Sequence, residues 1–235
     1  MGRGGARSAI VTGGARGIGR GCALALAAAG YDIAPVAPLW SAFTTHRRAV
    51  LACFGLTMAW TAASYVYITF MPTFAAQSLG LAPRDAQAGV VFASLTNIVV
   101  VPLAGLMADR WGRGPMVVSA AGFALLSIPL FLMLVSLQSF AGLVAVAVVA
   151  GGLLGLYNGA APHALCALFP TSVRYTALSV GYNGAVMIFG GFAPFISTLL
   201  VRESGLAIAP SFYVTACAVA TLGVLLAMRR KELLA

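Results

Sequence analysis

GLMADRWGRGP, residues 105–115, sets Asp109, Arg110 and Arg113 within five positions, between two long runs that carry no charge, 86–108 and 114–173. An Arg, Lys or Asp at the centre of a membrane helix costs about 2.5–3.5 kcal/mol on the insertion scale. Three such residues together mark an aqueous loop. The uncharged runs beside them mark where the chain can cross a bilayer. The loop is only a few residues long, so its glycines make the turn.

The rest of the chain follows the same rule. Of 235 residues, 61% are hydrophobic and 8% charged, against about 25% charged in an ordinary soluble domain. Further uncharged runs cover 49–83, 175–201 and 204–228. One helical span needs about 20 residues. The 114–173 run therefore holds two spans, with a turn near Gln138-Ser139, and 49–83 holds one span and a polar tail, AAQSLGLAP. This predicts an all-α membrane protein, a six-helix transmembrane bundle with helices at about 49–72, 86–108, 115–137, 140–163, 176–200 and 211–228.

The net charge is +9. The basic residues stand singly or in pairs, without the interleaved aromatics of a nucleic-acid surface, so they are read as topology signals. Arg47, Arg48, Arg110, Arg113, Arg174, Arg229, Arg230 and Lys231 fall on one side of the bundle, and only Arg84 and Arg202 on the other. By the positive-inside rule, both termini and the 109–114 and 170–175 loops are expected to be cytoplasmic. Cys22, Cys53, Cys166 and Cys217 are far apart, each in an apolar run, with no CxxC pair. They predict free thiols, with no metal site and no disulfide framework. Gly151, Gly155 and Gly159 repeat at every fourth position of the fourth span, a spacing for close helix packing. Gly190-Gly191 before Pro194 marks a place where the fifth span loosens or kinks.

The 105–115 stretch resembles the cytoplasmic-loop signature of the major facilitator superfamily, G-x-x-[AG]-D-R-x-G-R, at Gly105, Ala108, Asp109, Arg110, Gly112 and Arg113. FPTSVRYTALSVGYN, residues 169–183, is similar to the corresponding segment of the metabolite–proton symporter branch, at Phe169, Pro170, Thr171, Arg174, Tyr175, Tyr182 and Asn183. Members of that branch take up citrate, 2-oxoglutarate, shikimate, or proline and betaine with protons. The resemblance covers about 47–235. It implies the C-terminal half of a twelve-helix facilitator, in which substrate lies between two six-helix halves.

The resemblance carries its expectations to particular residues. Gly105, Asp109, Arg110, Gly112, Arg113 and Arg174 are the cytoplasmic gating set, an ion-pair clasp made in one conformation and broken in another. Tyr65, Tyr67, Tyr157, Asn158, Tyr182 and Asn183 are the polar or aromatic groups within spans, and are candidates either for a substrate cavity or for interhelical hydrogen bonds. All five acids, Asp32, Asp85, Asp109, Glu203 and Glu232, fall outside span interiors. Proton coupling usually needs an intramembrane titratable group, which leaves His163 here, or a group in the other half. The implied function is proton-coupled uptake of a small carboxylate or zwitterion across a bacterial inner membrane, with this half inactive alone. The implied partners are the lipid bilayer, the substrate, the proton and an N-terminal transporter half, with no cofactor and no nucleic acid.

SAIVTGGARGIGRGCALALAAAG, residues 8–30, reads differently. TGGARGIG resembles the cofactor turn of short-chain dehydrogenases, with Gly13 for the tight turn and Gly17 and Gly19 for close approach to a pyrophosphate. That family's Tyr-x-x-x-Lys cannot be built, because the only lysine is Lys231. About 35 residues cannot bury a core of their own. Residues 1–40 are thus expected to be a truncated βα Rossmann-like fragment with vestigial glycines, 41–48 a junction, and 49–235 the six-helix unit. Two other readings of this stretch are a signal peptide and the remnant of a membrane-anchored, nicotinamide-dependent enzyme.

Overall fold

The computed structural model describes residues 7–9, 17–33, 46–170 and 173–228. At the N-terminal end, β1 (Arg7–Ala9) and β2 (Tyr31–Ile33) pair in parallel around α1 (Gly17–Ala28), with Arg7 opposite Tyr31 and Ala9 opposite Ile33. Two short strands give α1 almost nothing to cover it, and Leu24 stays 60% exposed. Gly13, residues 34–40 and the first part of the junction, 41–45, lie outside the described residues, while Arg47 and Arg48 already belong to the first span.

Six helices are long and apolar enough to cross a membrane. The first span is Arg47–Ser78, the second Pro83–Trp111, the third Gly114–Leu137, the fourth Phe140–Ala167, the fifth Arg174–Ser204 and the sixth Ala209–Ala227. The count and order match the sequence reading, but five of the six run longer than expected at one or both ends and the sixth is shifted by a residue or two. The first span continues six residues past 72, through part of the polar tail, because Phe74 and Ala75 are buried in the core. Pro83 starts the second span in the first helical turn, where its missing N–H costs no bond. Arg84 and Asp85 therefore join that turn instead of lying in a loop. Gly112, at φ 57°, ends the second span, and Gly205, at φ 65°, ends the fifth. Both conformations favour glycine. The Ser139 hydroxyl accepts a bond from the Gly142 N–H at 3.2 Å and caps the fourth span.

Two spans are not uniformly α-helical. Tyr65–Phe70 in the first and Val186–Gly191 in the fifth are π-helical. Each π segment is followed closely by a proline, Pro72 or Pro194. A proline within a helix removes one hydrogen bond and drives its ring against the carbonyl four residues back. Those carbonyls belong to Ile68 and Gly190, each inside a π turn. Widening the helix there relieves the clash. The Gly190-Gly191-Pro194 sequence anticipates loosening in the fifth span, while the π turn of the first span was not anticipated.

Packing sorts the spans. The second and fourth make the largest interface, and glycine is the reason. A Cβ on Gly151 would lie 2.3 Å from the Ala93 carbonyl oxygen, and one on Gly159 2.5 Å from that of Val101. The fourth span thus lies backbone to backbone on the second; the glycine spacing implied close packing but did not say against which span. The third packs on the fourth and sixth, the sixth on the first, and the first on the fifth. Thr221 ties the sixth span to the first, donating to the Gly55 carbonyl at 2.7 Å and accepting from the Ala59 N–H at 3.1 Å. The core forms two buried clusters, one around Phe74, Phe123 and Phe131, the other around Leu56, Met116 and Phe169. Trp60 packs against both. The second and fifth spans are the least covered.

Candidate functional site

At the end of the bundle that carries the 109–113 loop, a cavity of about 700 Å³ opens between the second and fourth spans. It is lined by Gly105, Asp109, Arg110, Arg113 and His163, among others. Gly159 is what allows this end of the second span to sit so close to the fourth: the Cβ it lacks would lie 2.8 Å from the Gly105 amide nitrogen, whereas one on Gly105 would make only an ordinary 3.8 Å contact with the Gly159 carbonyl oxygen.

The ion-pair clasp expected for this loop is not made here. Among the described residues the one ion pair joins Arg202 and Glu203, at 3.9 Å, both highly exposed and worth little. Arg113 turns instead to the sixth span, where its Nη1 donates to the carbonyls of Leu225 at 2.6 Å and Met228 at 2.5 Å. A helix C-terminus leaves its last carbonyls without partners and carries partial negative charge, so a guanidinium satisfies both needs. Arg174 closes the other short connection in a similar way, its Nε donating to the Phe169 carbonyl at 3.1 Å. Asp109 and Arg110 are exposed. Gly112 supplies the left-handed turn that swings Arg113 away from the second span.

The six mid-span candidates divide. Tyr67 is core: it is 3% exposed, between Phe123 and Phe131 at centroid distances of 5.7 Å each. Among the described residues its hydroxyl has no hydrogen-bond partner. Tyr157 is also core, 1% exposed, and its hydroxyl donates to the Leu56 carbonyl, bracing the fourth span on the first. Neither faces a cavity, because each ring fills a gap between closely packed spans. Asn158 pairs with Asn97 of the second span at 3.5 Å, a long contact. Asn183 is exposed. Tyr65 is half-buried and its ring packs against Gly190, where a Cβ would meet it at 2.8 Å. Tyr182 is half-buried against Trp60.

Trp60, which sequence reasoning passed over, is what joins these residues. Its ring stacks on Tyr157 at 6.2 Å and 26°, and meets Tyr182 at 5.6 Å and 52°. The three rings come from the first, fourth and fifth spans. Trp60 is the fourteenth residue of the 32-residue first span, so at about 1.5 Å per residue the group sits well inside the bilayer. A tryptophan in an apolar span carries no sequence mark that separates this position from a lipid-facing one.

This arrangement offers ring faces, amides and hydroxyls, and no nucleophile–base pair. Among the described residues no cluster of His, Cys, Asp or Glu is placed to hold a metal, and the four cysteines are free thiols.

The comparisons agree with this architecture. The family model described as Major Facilitator Superfamily matches residues 49–233. A proline/betaine transporter of Salmonella typhimurium is 33% identical over 194 residues, 80% of this chain and 37% of its own length. An ectoine/proline transporter of Corynebacterium glutamicum is 33% identical, over 72% of this chain and 34% of its own length. A citrate-proton symporter of Klebsiella pneumoniae is 31% identical, over 68% of this chain and 36% of its own length. The chain thus spans little more than a third of the relatives it matches. No solved structure gives a significant match. With six apolar spans, a glycine-built 105–113 loop and a family match over 185 of its 235 residues, the chain is an integral membrane protein and belongs to the major facilitator superfamily.

Proposed function

We propose that residues 49–235 form one six-helix bundle of a transporter that moves a small carboxylate or zwitterion together with protons, and that this bundle works against a second one. The observation that carries the reading is the mid-membrane face where two π-broken spans meet around Trp60, Tyr65 and Tyr182. Its support is the similarity to proline/betaine, ectoine/proline and citrate-proton carriers. The tight second–fourth pair acts as a rigid unit, and the π turns give the first and fifth spans room to bend beside it. Rocking of two such bundles exposes a midplane site to each side in turn.

In this reading Asp109, Arg110 and Arg113 form the cytoplasmic gate, with Arg113 resting on the sixth span in the state described above. Both termini are cytoplasmic and the membrane is a bacterial inner membrane. The coupling proton is carried by the second bundle or by His163. Residues 1–40 are the displaced start of a short-chain dehydrogenase, joined through 41–48, and the protein is a transporter and not an enzyme. The parallel β1–α1–β2 unit favours a dehydrogenase origin. The vestigial Gly13, Gly17 and Gly19 hold no working cofactor, so adding reduced nicotinamide cofactor leaves its fluorescence unchanged.

Uptake tests the function. Proteoliposomes receive the full chain alone, or with the first six helices of a proline/betaine transporter, and are given labelled proline, glycine betaine or citrate under a proton gradient. Gradient-driven uptake is expected only with both bundles present. Its absence in both preparations refutes the transport reading.

A further inference from the structure

Within the bundle the spans form two layers. The second packs on the fourth, the fourth on the first and the first on the fifth, so these four stand side by side in that order, with the third and sixth behind them. The second and fifth are thus the flanks of one open layer. They make no substantial contact with each other and are the least covered of the six. Their bare faces are apolar, with Ile98 and Leu106 exposed on the second span and Met187 and Phe195 on the fifth. Lipid is as apolar as these side chains, so apolarity alone demands no protein cover.

Polar groups on the same flanks do demand it. Asn183 is exposed on the fifth span, about 14 Å along the helix from Arg174, and a primary amide left in hydrocarbon is costly. On the second span Pro102 has no N–H to give the Ile98 carbonyl, which lies about 16 Å along the helix from Asp109. One flank therefore holds a spare donor and the other a spare acceptor at nearly the same depth. The charges at the span ends match too. The second span begins at Arg84 and Asp85 and ends beside Asp109, while the fifth begins at Arg174 and ends at Arg202 and Glu203. The two run in opposite directions, so Arg84-Asp85 and Arg202-Glu203 share one end of the bundle, and Asp109 and Arg174 share the other. Arg84 to Asp109 is about 38 Å and Arg174 to Arg202 about 42 Å, a difference that one arginine side chain covers.

We propose that these flanks take a second copy of this chain, in a two-fold pair where the second span of each copy lies along the fifth span of the other. The same charges orient every copy in the membrane, so the two-fold axis runs along the membrane normal. The two interfaces are then identical and the assembly closes at two copies. Arg84 and Asp85 meet Glu203 and Arg202 of the other copy, Asp109 meets Arg174, and the Asn183 amide donates to the Ile98 carbonyl. The first and fourth spans of the two copies face each other across the axis, so the face that carries Trp60 is completed by its own copy. This rests on the transport reading, in which the bundle works against a second one, and names the partner the chain takes when no other bundle is present. A copy and a different bundle compete for the same flanks.

The test is energy transfer between full chains in liposomes. Carrying Cys166→Ser, the chain is labelled at exposed Cys22 with donor or acceptor, Cys53 and Cys217 being buried, and is diluted stepwise with lipid. Transfer is expected to persist on dilution and to depend on acceptor fraction as two copies require. Glu203→Arg sets Arg84 against a like charge at both interfaces and is expected to weaken the pair about tenfold. Arg84→Glu in the same chain is expected to restore it. Adding the first six helices of a proline/betaine transporter is expected to abolish transfer. Dilution and displacement need no variant, so misfolding of Glu203→Arg does not shield the idea. Transfer at the chance-encounter level throughout overturns the pair, as does a fit to more than two copies or a folded Glu203→Arg that pairs like wild type. Transfer that persists while the added helices give gradient-driven uptake overturns the shared flanks and leaves the transport reading standing. A two-copy pair with no uptake in either preparation does the reverse.

Discussion

The seam between the second and fourth spans gives the sharpest structural test. In Gly151→Ala the new methyl group sits 2.3 Å from the Ala93 carbonyl oxygen, 2.9 Å from its Cα and 3.0 Å from its carbonyl carbon. Ordinary contact begins near 3.4 Å, so the spans must part by about 1 Å. The obstructing atoms are backbone and cannot rotate away. Such overpacking costs about 1–3 kcal/mol by itself. A gap of 0.5–1 Å also forfeits a quarter to a half of each dispersion contact along the seam, including those at Gly155 and Gly159. Taking about 2–3 kcal/mol, and 2–4 °C per kcal/mol for a chain of this size, the melting temperature falls by roughly 5–10 °C. Buried Cys53 and Cys217 report unfolding through a thiol-reactive dye, in a Cys22→Ser, Cys166→Ser background because Cys22 is exposed and Cys166 partly so. The adjacent Gly152→Ala is the control, since its methyl meets nothing closer than Thr96 Cγ2 at 3.9 Å. If the two variants melt together, the backbone seam does not exist as described.

Three other substitutions probe separate joints. Arg113→Gln removes the guanidinium from the Leu225 and Met228 carbonyls, and amide exchange in the last turn of the sixth span should quicken about tenfold by mass spectrometry, the effect of roughly 1.4 kcal/mol. Thr221→Val cuts both the bond to Gly55 and the bond from Ala59; at about 0.6–1.7 kcal/mol per membrane hydrogen bond, the same dye assay should show a lower melting temperature, and no change would mean the first and sixth spans are held by packing alone. Tyr157→Phe leaves the ring but frees it from Leu56, so it should melt slightly lower and loosen Trp60, seen as faster depolarisation of Trp60 fluorescence.

Charge made the fold legible. Because a charged residue is costly inside a bilayer, the gaps between charges gave six spans, and the Gly151-Gly155-Gly159 spacing marked the fourth span for close packing without naming its partner. Span ends were less legible: Phe74 and Ala75 hold the first span helical through residues that are polar in sequence. Interior faces were not legible at all. Lipid is as apolar as the protein core, so an all-apolar helix shows no periodicity that tells inside from outside. Tyr65 and Tyr67 are two residues apart and equally plausible in sequence, yet one lies half-exposed on Gly190 and the other is sealed between Phe123 and Phe131. Trp60 was missed for the same reason. The Arg113 partners lie over a hundred residues away, and nothing local announces a helix end that distant in sequence.

The most direct test asks whether the face between the first and fifth spans meets water inside the membrane. With its four natural cysteines replaced by serine, the full chain is given one cysteine, at Tyr182 or at Leu125, the latter 74% exposed on the third span. Native membranes are then treated with a charged, water-soluble thiol reagent. Tyr182→Cys should react readily, while Leu125→Cys, facing lipid, should stay unmodified. If Tyr182→Cys is as inert as Leu125→Cys, that face belongs to the lipid and is no part of a transport path.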